Sequence, residues 1–204
     1  MIRHFGRHIF DGAVMTGDGY PVRQKWTAPL LGTAVKIHAN ITLLTTTQTI
    51  TTGITQPDFP RVLSITPTKA GSPAITGNVV ITGTDIRGNV ITDTIACGSD
   101  TVTVNGVKAF ATVTSIAVPV RQTASDAISI GTTSLLGLKR IMDADEYLLG
   151  SASGTFEATR ATVTYNATDI SQNTVSFNTA LNGTLVMRAV YMSKEKTTDK
   201  HTTN

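Results

Sequence analysis

The chain has 204 residues, of which 40% are hydrophobic and 15% charged, and its formal net charge is +3. This length allows one large or two small domains with a buried core, and the charge is too small to indicate nucleic-acid binding. The single cysteine, Cys97, excludes an intrachain disulfide, and no apolar run approaches the roughly 20 residues of a membrane span. No apolar stretch follows the basic residues at the N-terminus, so we expect no signal peptide and folding in the cytoplasm.

Residues 1–57 differ in texture from the rest of the chain. The part up to Thr27 mixes glycines, basic residues and isolated aromatics, a pattern that cannot build a core of its own. We therefore predict an extended N-terminal arm that docks on a neighbouring subunit, gripping an acidic protein surface rather than nucleic acid. Residues 39–55 are predicted to form one or two strands that add to another subunit's sheet. The candidate interface residues are Arg3, Phe5, Arg7, Phe10, Tyr20 and Trp26.

Residues 58–192 form the predicted body, in which short Thr, Val and Ile runs alternate with Gly, Asn and Asp. β-Branched side chains favour strands, and the other three residues favour the turns between them. Strands recurring about every 8–12 residues indicate an all-β, Ig-like antiparallel β-sandwich. The pattern allows one sandwich or two lobes, 58–122 and 123–192. Strands are predicted at residues 61–66, 78–84, 89–95, 101–104, 107–118, 127–130, 161–165, 175–177 and 185–192.

The connections between these strands carry turn signals. A tight turn is predicted at residues 85–88, and the Asn-Gly pairs at 105–106 and 182–183 each predict a two-residue hairpin. Residues 135–149 are the one stretch in which a helical turn is plausible, and residues 193–204 read as a short polar tail, solvated or docking. Asp93 falls on the same strand face as Ile91 and Ile95, so either a bulge resets the register or a charge points inward on an edge strand.

The search for reactive groups gives no catalytic, cofactor or metal residues. The sequence has no nucleophilic-serine motif and no phosphate-binding loop. His4 and His8 have no third ligand nearby, and the acidic group at 143–146 lacks the spacing of a calcium loop. Cys97 has no adjacent His or Lys to activate it, so we interpret it as an unreactive thiol. We therefore predict a protein that is not an enzyme and needs no cofactor.

Five stretches have a distinctive strand and turn pattern: residues 56–65 (QPDFPRVLSI), 75–95 (ITGNVVITGTDIRGNVITDTI), 107–116 (VKAFATVTSI), 156–163 (FEATRATV) and 173–184 (NTVSFNTALNGT). In these stretches the chain resembles a family of tailed-bacteriophage virion proteins, and the similarity covers about two thirds of the chain, from Thr49 onward. The resemblance implies a capsid decoration or head-associated protein within the virion, assembled in the host cytoplasm. Its implied partners are the major capsid protein, other virion proteins and further copies of itself, with no nucleic acid and no membrane.

Three other functions compete with this reading. A neck, collar or tail component would share the same scaffold but occur in far fewer copies. A receptor- or glycan-binding sandwich would use its loops, yet the predicted loops at 85–88, 105–106 and 182–183 contain no aromatic residue. An enzyme would need paired carboxylates or a nucleophile with its base, and the sequence pattern offers neither.

Overall fold

The computed structural model describes residues 9–10, 13–14, 19–69, 71, 73–142, 144–193 and 195. These residues form antiparallel β-strands and one 3₁₀ turn, Ile170–Gln172. Within them, no helix is long and apolar enough to cross a membrane. The strands are β1 (Ile9–Phe10), β2 (Ala13–Val14), β3 (Tyr20–Thr27), β4 (His38–Thr42), β5 (Gln48–Ile50), β6 (Arg61–Thr68), β7 (Asn78–Thr84), β8 (Val90–Ala96), β9 (Val104–Phe110), β10 (Thr112–Val118), β11 (Ala127–Gly137), β12 (Tyr147–Ala152), β13 (Thr155–Phe156), β14 (Thr162–Thr164), β15 (Thr174–Ser176) and β16 (Val186–Ser193).

The strands pair into three larger sheets and a short β1–β2 ribbon. The first sheet has the order β5-β10-β7-β8, and the second has the order β14-β15-β11-β6-β9 with β4 also paired to β11. The third sheet has the order β13-β12-β16-β3. All of these pairs are antiparallel, so the predicted all-β class is confirmed.

Buried side chains form two separate clusters. The first core joins the sheet β5-β10-β7-β8 to strands β4, β6, β9 and the first half of β11, and includes Val79, Ile81 and Phe110. The second core joins the sheet β13-β12-β16-β3 to Leu136 at the far end of β11 and to Val175 of β15. In strands such as β7 and β8, alternation places the core residues on one face, as expected for half-buried strands, whereas β6 is buried on both faces. Strand β11 therefore contributes to both cores.

The N-terminal segment differs from the predicted arm. Strand β3 pairs with β16, β4 with β11 and β5 with β10, so these three segments lie in sheets of the same chain. The physical reason is burial: Trp26, Ile41 and Leu43 each contribute a nearly fully buried side chain to a core. A segment too short to build a core can complete one whose other strands lie far away in sequence. All three of these strand pairs join a segment before residue 57 to one after it.

Asn105 and Gly106 do not form the predicted hairpin turn, because both lie inside β9. The glycine is needed for a close approach: a Cβ at position 106 would overlap the carboxylate of Asp93. Asp93 is 6% exposed, and its Oδ2 accepts hydrogen bonds from the backbone N–H groups of Val107 (2.8 Å) and Lys108 (3.1 Å). The pairing of β7 with β8 has no register shift, so Asp93 is the inward charge on an edge strand rather than a sign of a bulge.

Other connections also differ in part from prediction. The turn at 85–88 closes the β7–β8 hairpin as predicted, with Gly88 at φ +82°. Gly183 lies in a turn at φ +77°, but β16 pairs with β12 and β3 rather than with the preceding strand, so that turn closes no hairpin. The predicted strand at 107–118 is two strands of different sheets, β9 and β10. The described residues of 135–149 form the ends of β11 and β12 and the loop between them, not a helical turn.

Of the predicted tail at 193–204, the structure describes Ser193 and Glu195. Ser193 is the last residue of β16 and is fully buried, with its hydroxyl donating to the carbonyl of Ile141 at 2.7 Å. The Glu195 carboxylate accepts from the Arg87 guanidinium at 2.6 Å and from the Ile141 N–H at 3.1 Å. The beginning of the tail therefore packs against the body.

Candidate protein-binding face

A row of side chains crosses all four strands on the outer face of the sheet β13-β12-β16-β3; Ser151 in this row is buried and the other three residues are exposed. Phe156 lies opposite Ser151, Ser151 opposite Arg188, and Arg188 opposite Lys25. Directly opposed residues of antiparallel strands project to the same side of a sheet. The neighbouring residues of β16, Met187 and Ala189, are buried on the inner side, which fixes this row on the outside.

A second row runs beside the first. Leu149 lies opposite Val190, and Val190 lies opposite Arg23. Leu149 and Val190 are half-buried and Arg23 is exposed. The two rows together give a face on which apolar side chains lie beside three cations; we call Arg23, Lys25, Leu149, Phe156, Arg188 and Val190 the outer-face patch.

The cations of the outer-face patch have no anionic partner among the residues that the structure describes. The ion pairs among the described residues involve other cations: they join Arg61 to Asp58, Arg87 to Glu195, Lys108 to Asp169 and Arg160 to Asp145. Arg188 and Lys25 are instead directly opposed like charges, an arrangement that costs the isolated sheet stability. Phe156 adds an aromatic side chain that is 69% exposed.

The predicted interface residues are distributed differently. Tyr20 is 42% exposed at the start of β3, whereas Trp26 is 1% exposed in the second core, where its ring meets Phe177 edge-on at 5.5 Å. Trp26 is therefore a core residue of this chain, because the alternation of β3 directs it to the inner face. Arg3, Phe5 and Arg7 lie outside the described residues, as does the side chain of Phe10 in β1.

A cluster of polar side chains surrounds Tyr147, whose ring lies on the inner side of the same sheet. The Arg160 guanidinium stacks 5.4 Å from the Tyr147 ring centroid and pairs with both carboxylate oxygens of Asp145. Glu157 accepts from the Thr179 N–H at 2.6 Å through one carboxylate oxygen. Its other oxygen and the Tyr147 hydroxyl are buried with no hydrogen-bond partner in the described structure. Burial, reinforced by the Glu157 charge, raises the pKa of Tyr147 well above its ordinary value.

These groups do not form a metal or nucleophile site. Asp145 of the acidic group at 143–146 is neutralised by Arg160, and Asp143 lies outside the described residues. Nowhere in the described ranges do three His, Cys, Asp or Glu side chains come together as a metal would need. Burial raises the pKa of the half-buried Cys97 thiol, which keeps it protonated and poorly nucleophilic. His4 and His8 lie outside the described residues.

Sequence reasoning identified Arg23 and Lys25 as basic residues but missed their neighbours. Arg188 and Phe156 are remote from β3 in sequence and reach it only through strand pairing. One signal was present: Arg188 interrupts an otherwise apolar stretch between Val186 and Met192. A lone charge in such a strand indicates its solvent-facing side.

The fold and the patch define an all-β protein with a mixed basic and apolar outer face on its third sheet. No protein-family model, curated protein or solved structure matches the chain.

Proposed function

We propose that this chain is a non-enzymatic structural protein of a tailed-bacteriophage particle, most simply a capsid decoration or head-associated protein. The outer-face patch carries this proposal, since an exposed aromatic shares this face with arginines that have no ion-pair partner among the described residues, and aromatics and arginines are enriched in protein–protein contact surfaces. The sequence resemblance supports the same class of protein. The low charged fraction of 15% also suits a surface that is largely covered in an assembly.

The N-terminal arm remains part of this proposal, but it is shorter than the sequence predicted. Because β3, β4 and β5 are strands of the sheets, the arm of this proposal is confined to the residues before 19. That arm leads directly into β3, the edge strand that carries Arg23 and Lys25. Its attachment point therefore adjoins the outer-face patch, and the two together form the proposed contact with the major capsid protein or another virion protein.

An Ig-like sandwich and assembly of several copies belong to the same proposal. The sandwich is supported by the first core, to which two antiparallel sheets contribute side chains.

The test is quantitative mass spectrometry of purified particles from the source virus. A copy number near that of the major capsid protein, or a simple fraction such as one third of it, supports a lattice decoration role. A ratio of a few per cent places the protein in the neck, collar or tail instead. Its absence from the particles overturns the virion proposal.

A glycan-binding module is the second candidate function, favoured by one observation. A pocket of about 270 Å³ on the second sheet is lined by hydroxyl groups, together with the amide of Asn105. The hydroxyl-bearing residues are Thr33, Ser64, Thr103, Thr132, Thr133 and Ser134. Such groups can orient a saccharide, although the pocket lining includes no aromatic ring for stacking. Reproducible saccharide binding on a glycan array, lost in Asn105→Ala, would favour this candidate.

A further inference from the structure

Strand pairing brings three cations, Arg23, Lys25 and Arg188, together on the outer face of the third sheet. Lysines and arginines on edge strands commonly prevent unwanted sheet pairing, and this explains Arg23 and Lys25 on β3. It does not explain Arg188, because β16 lies between β12 and β3 and has no free edge. A cation there that directly opposes Lys25 costs stability unless an anion compensates it.

The surroundings of the cations distinguish between kinds of anionic partner. Nucleic acid is bound mainly through phosphates, and a cluster of cations suffices for that. Here the cations share their face with the exposed Phe156 and the half-buried Leu149 and Val190. An aromatic anchor with arginines is typical of the energetic centre of a protein interface. The net charge of +3 is also modest for a nucleic-acid binder.

We propose that the outer-face patch binds an acidic partner protein, whose carboxylates pair with Arg23, Lys25 and Arg188 while an apolar recess receives Phe156. This inference rests on the proposed function, since the partner is taken to be a protein of the assembled particle. The electrostatic part sets orientation and association rate, and the burial of Phe156 provides most of the apolar contact. The partner's surface is therefore apolar opposite β13 and acidic opposite β16 and β3.

The test uses tagged full-length chains expressed in infected cells, followed by quantification of the tagged protein in purified particles. The test variant combines Arg23→Glu, Lys25→Glu and Arg188→Glu. The matched control combines Lys36→Glu, Lys69→Glu and Arg121→Glu, which reverse three cations away from the patch and give the same net charge. None of these control cations makes an ion pair with a residue in the described part of the chain. Thermal melts of the purified variants confirm that each is folded.

We expect the patch variant to be incorporated at least about tenfold less than the wild type, and the control variant within about twofold of it. A second variant, Phe156→Ser, changes no charge and should reduce incorporation several-fold. Equal incorporation of the patch and control variants would overturn the inference while leaving the proposed function intact. Absence of the tagged wild type from particles would overturn both.

A separate measurement distinguishes protein from nucleic acid. Fluorescence anisotropy with a 30-base-pair DNA duplex should show no micromolar binding by the wild type at physiological salt. Salt-dependent micromolar binding that the patch variant loses and the control variant keeps would identify the patch as a nucleic-acid surface, contrary to the inference.

Discussion

At the residue scale, Tyr147 and Tyr191 are a matched pair of phenols buried in the second core. The Tyr191 hydroxyl accepts from the Arg140 N–H at 3.1 Å, whereas the Tyr147 hydroxyl has no partner in the described structure. Removing a partnered hydroxyl costs about 1 kcal/mol, and removing an unpartnered buried one is neutral or stabilising. We therefore expect Tyr191→Phe to lose about 1 kcal/mol in urea unfolding at pH 7 and Tyr147→Phe to lose nothing. Equal losses in the two variants would contradict this.

The same two phenols predict a dependence on alkaline pH. Burial raises the pKa of each above its unfolded-state value near 10, so the folded state favours the protonated form. Their stabilising contribution is therefore complete below about pH 10 and is lost as the pH rises from there toward the folded-state pKa values. We expect urea unfolding between pH 9 and 11 to show falling stability in the wild type and a shallower fall in Tyr147→Phe. An unchanged slope in that variant would exclude Tyr147 as a contributor.

Asp93 and Gly106 are a second pair of contacting residues, in which the missing side chain of Gly106 leaves space for the Asp93 carboxylate. Asp93→Ala leaves the N–H groups of Val107 and Lys108 without their acceptor, at an expected cost of about 1–3 kcal/mol. Asp93→Asn keeps an acceptor oxygen and should cost less. Gly106→Ala should be destabilising because the new Cβ overlaps the carboxylate, and it should be partly rescued in the Asp93→Ala background. Additive losses in that double variant, measured by urea unfolding, would contradict the contact.

At the scale of elements, the N-terminal segment has two parts: the proposed arm before residue 19 and the paired strand β3. A chain lacking residues 1–18 keeps β3 intact, so we expect its melting temperature to stay within a few degrees of the full chain. A chain lacking residues 1–27 also loses Trp26 from the second core, and truncating such a buried aromatic alone costs about 3–5 kcal/mol. Hydrogen exchange of the β16 amides should accelerate strongly in the second chain only. Protected β16 amides in both chains would show that β3 is dispensable.

The elements also show which parts of this fold are readable from sequence. The β7–β8 hairpin was predictable because alternation and a glycine turn are local signals. The position of Asn105 and Gly106 inside a strand was not predictable, since the glycine is required by the close approach of a carboxylate on another strand and not by a turn. Likewise β3 looked like an arm because its partner, β16, lies at the opposite end of the chain. Arg23 and Lys25 of the outer-face patch were visible in the sequence as basic residues, but Arg188 and Phe156 join them only through strand pairing.

At the scale of the whole molecule, β6 and β11 link the two cores. Arg61 of β6 pairs in register with Phe110 of the first core and Leu136 of the second. Its fully buried guanidinium pairs with Asp58 and donates to the carbonyls of Leu30 and Thr133. Asp58 stays in contact with solvent, but the buried guanidinium would lose its hydrogen bonds if the cores separated. Hydrogen bonds of charged groups contribute about 1.5–3 kcal/mol each, so this junction resists separation of the cores.

This coupling predicts a single unfolding transition, which the chain's only tryptophan can test. Trp26 fluorescence reports on the second core, whereas far-UV circular dichroism reports on the strands around both. Ile81→Ala in the first core and Met187→Ala in the second should each cost about 2–5 kcal/mol. If the cores unfold together, each variant shifts both signals to the same midpoint. If Ile81→Ala lowers the dichroism midpoint but leaves the Trp26 midpoint unchanged, the cores unfold separately and the division into two lobes is favoured, because the Arg61 junction then fails to couple them.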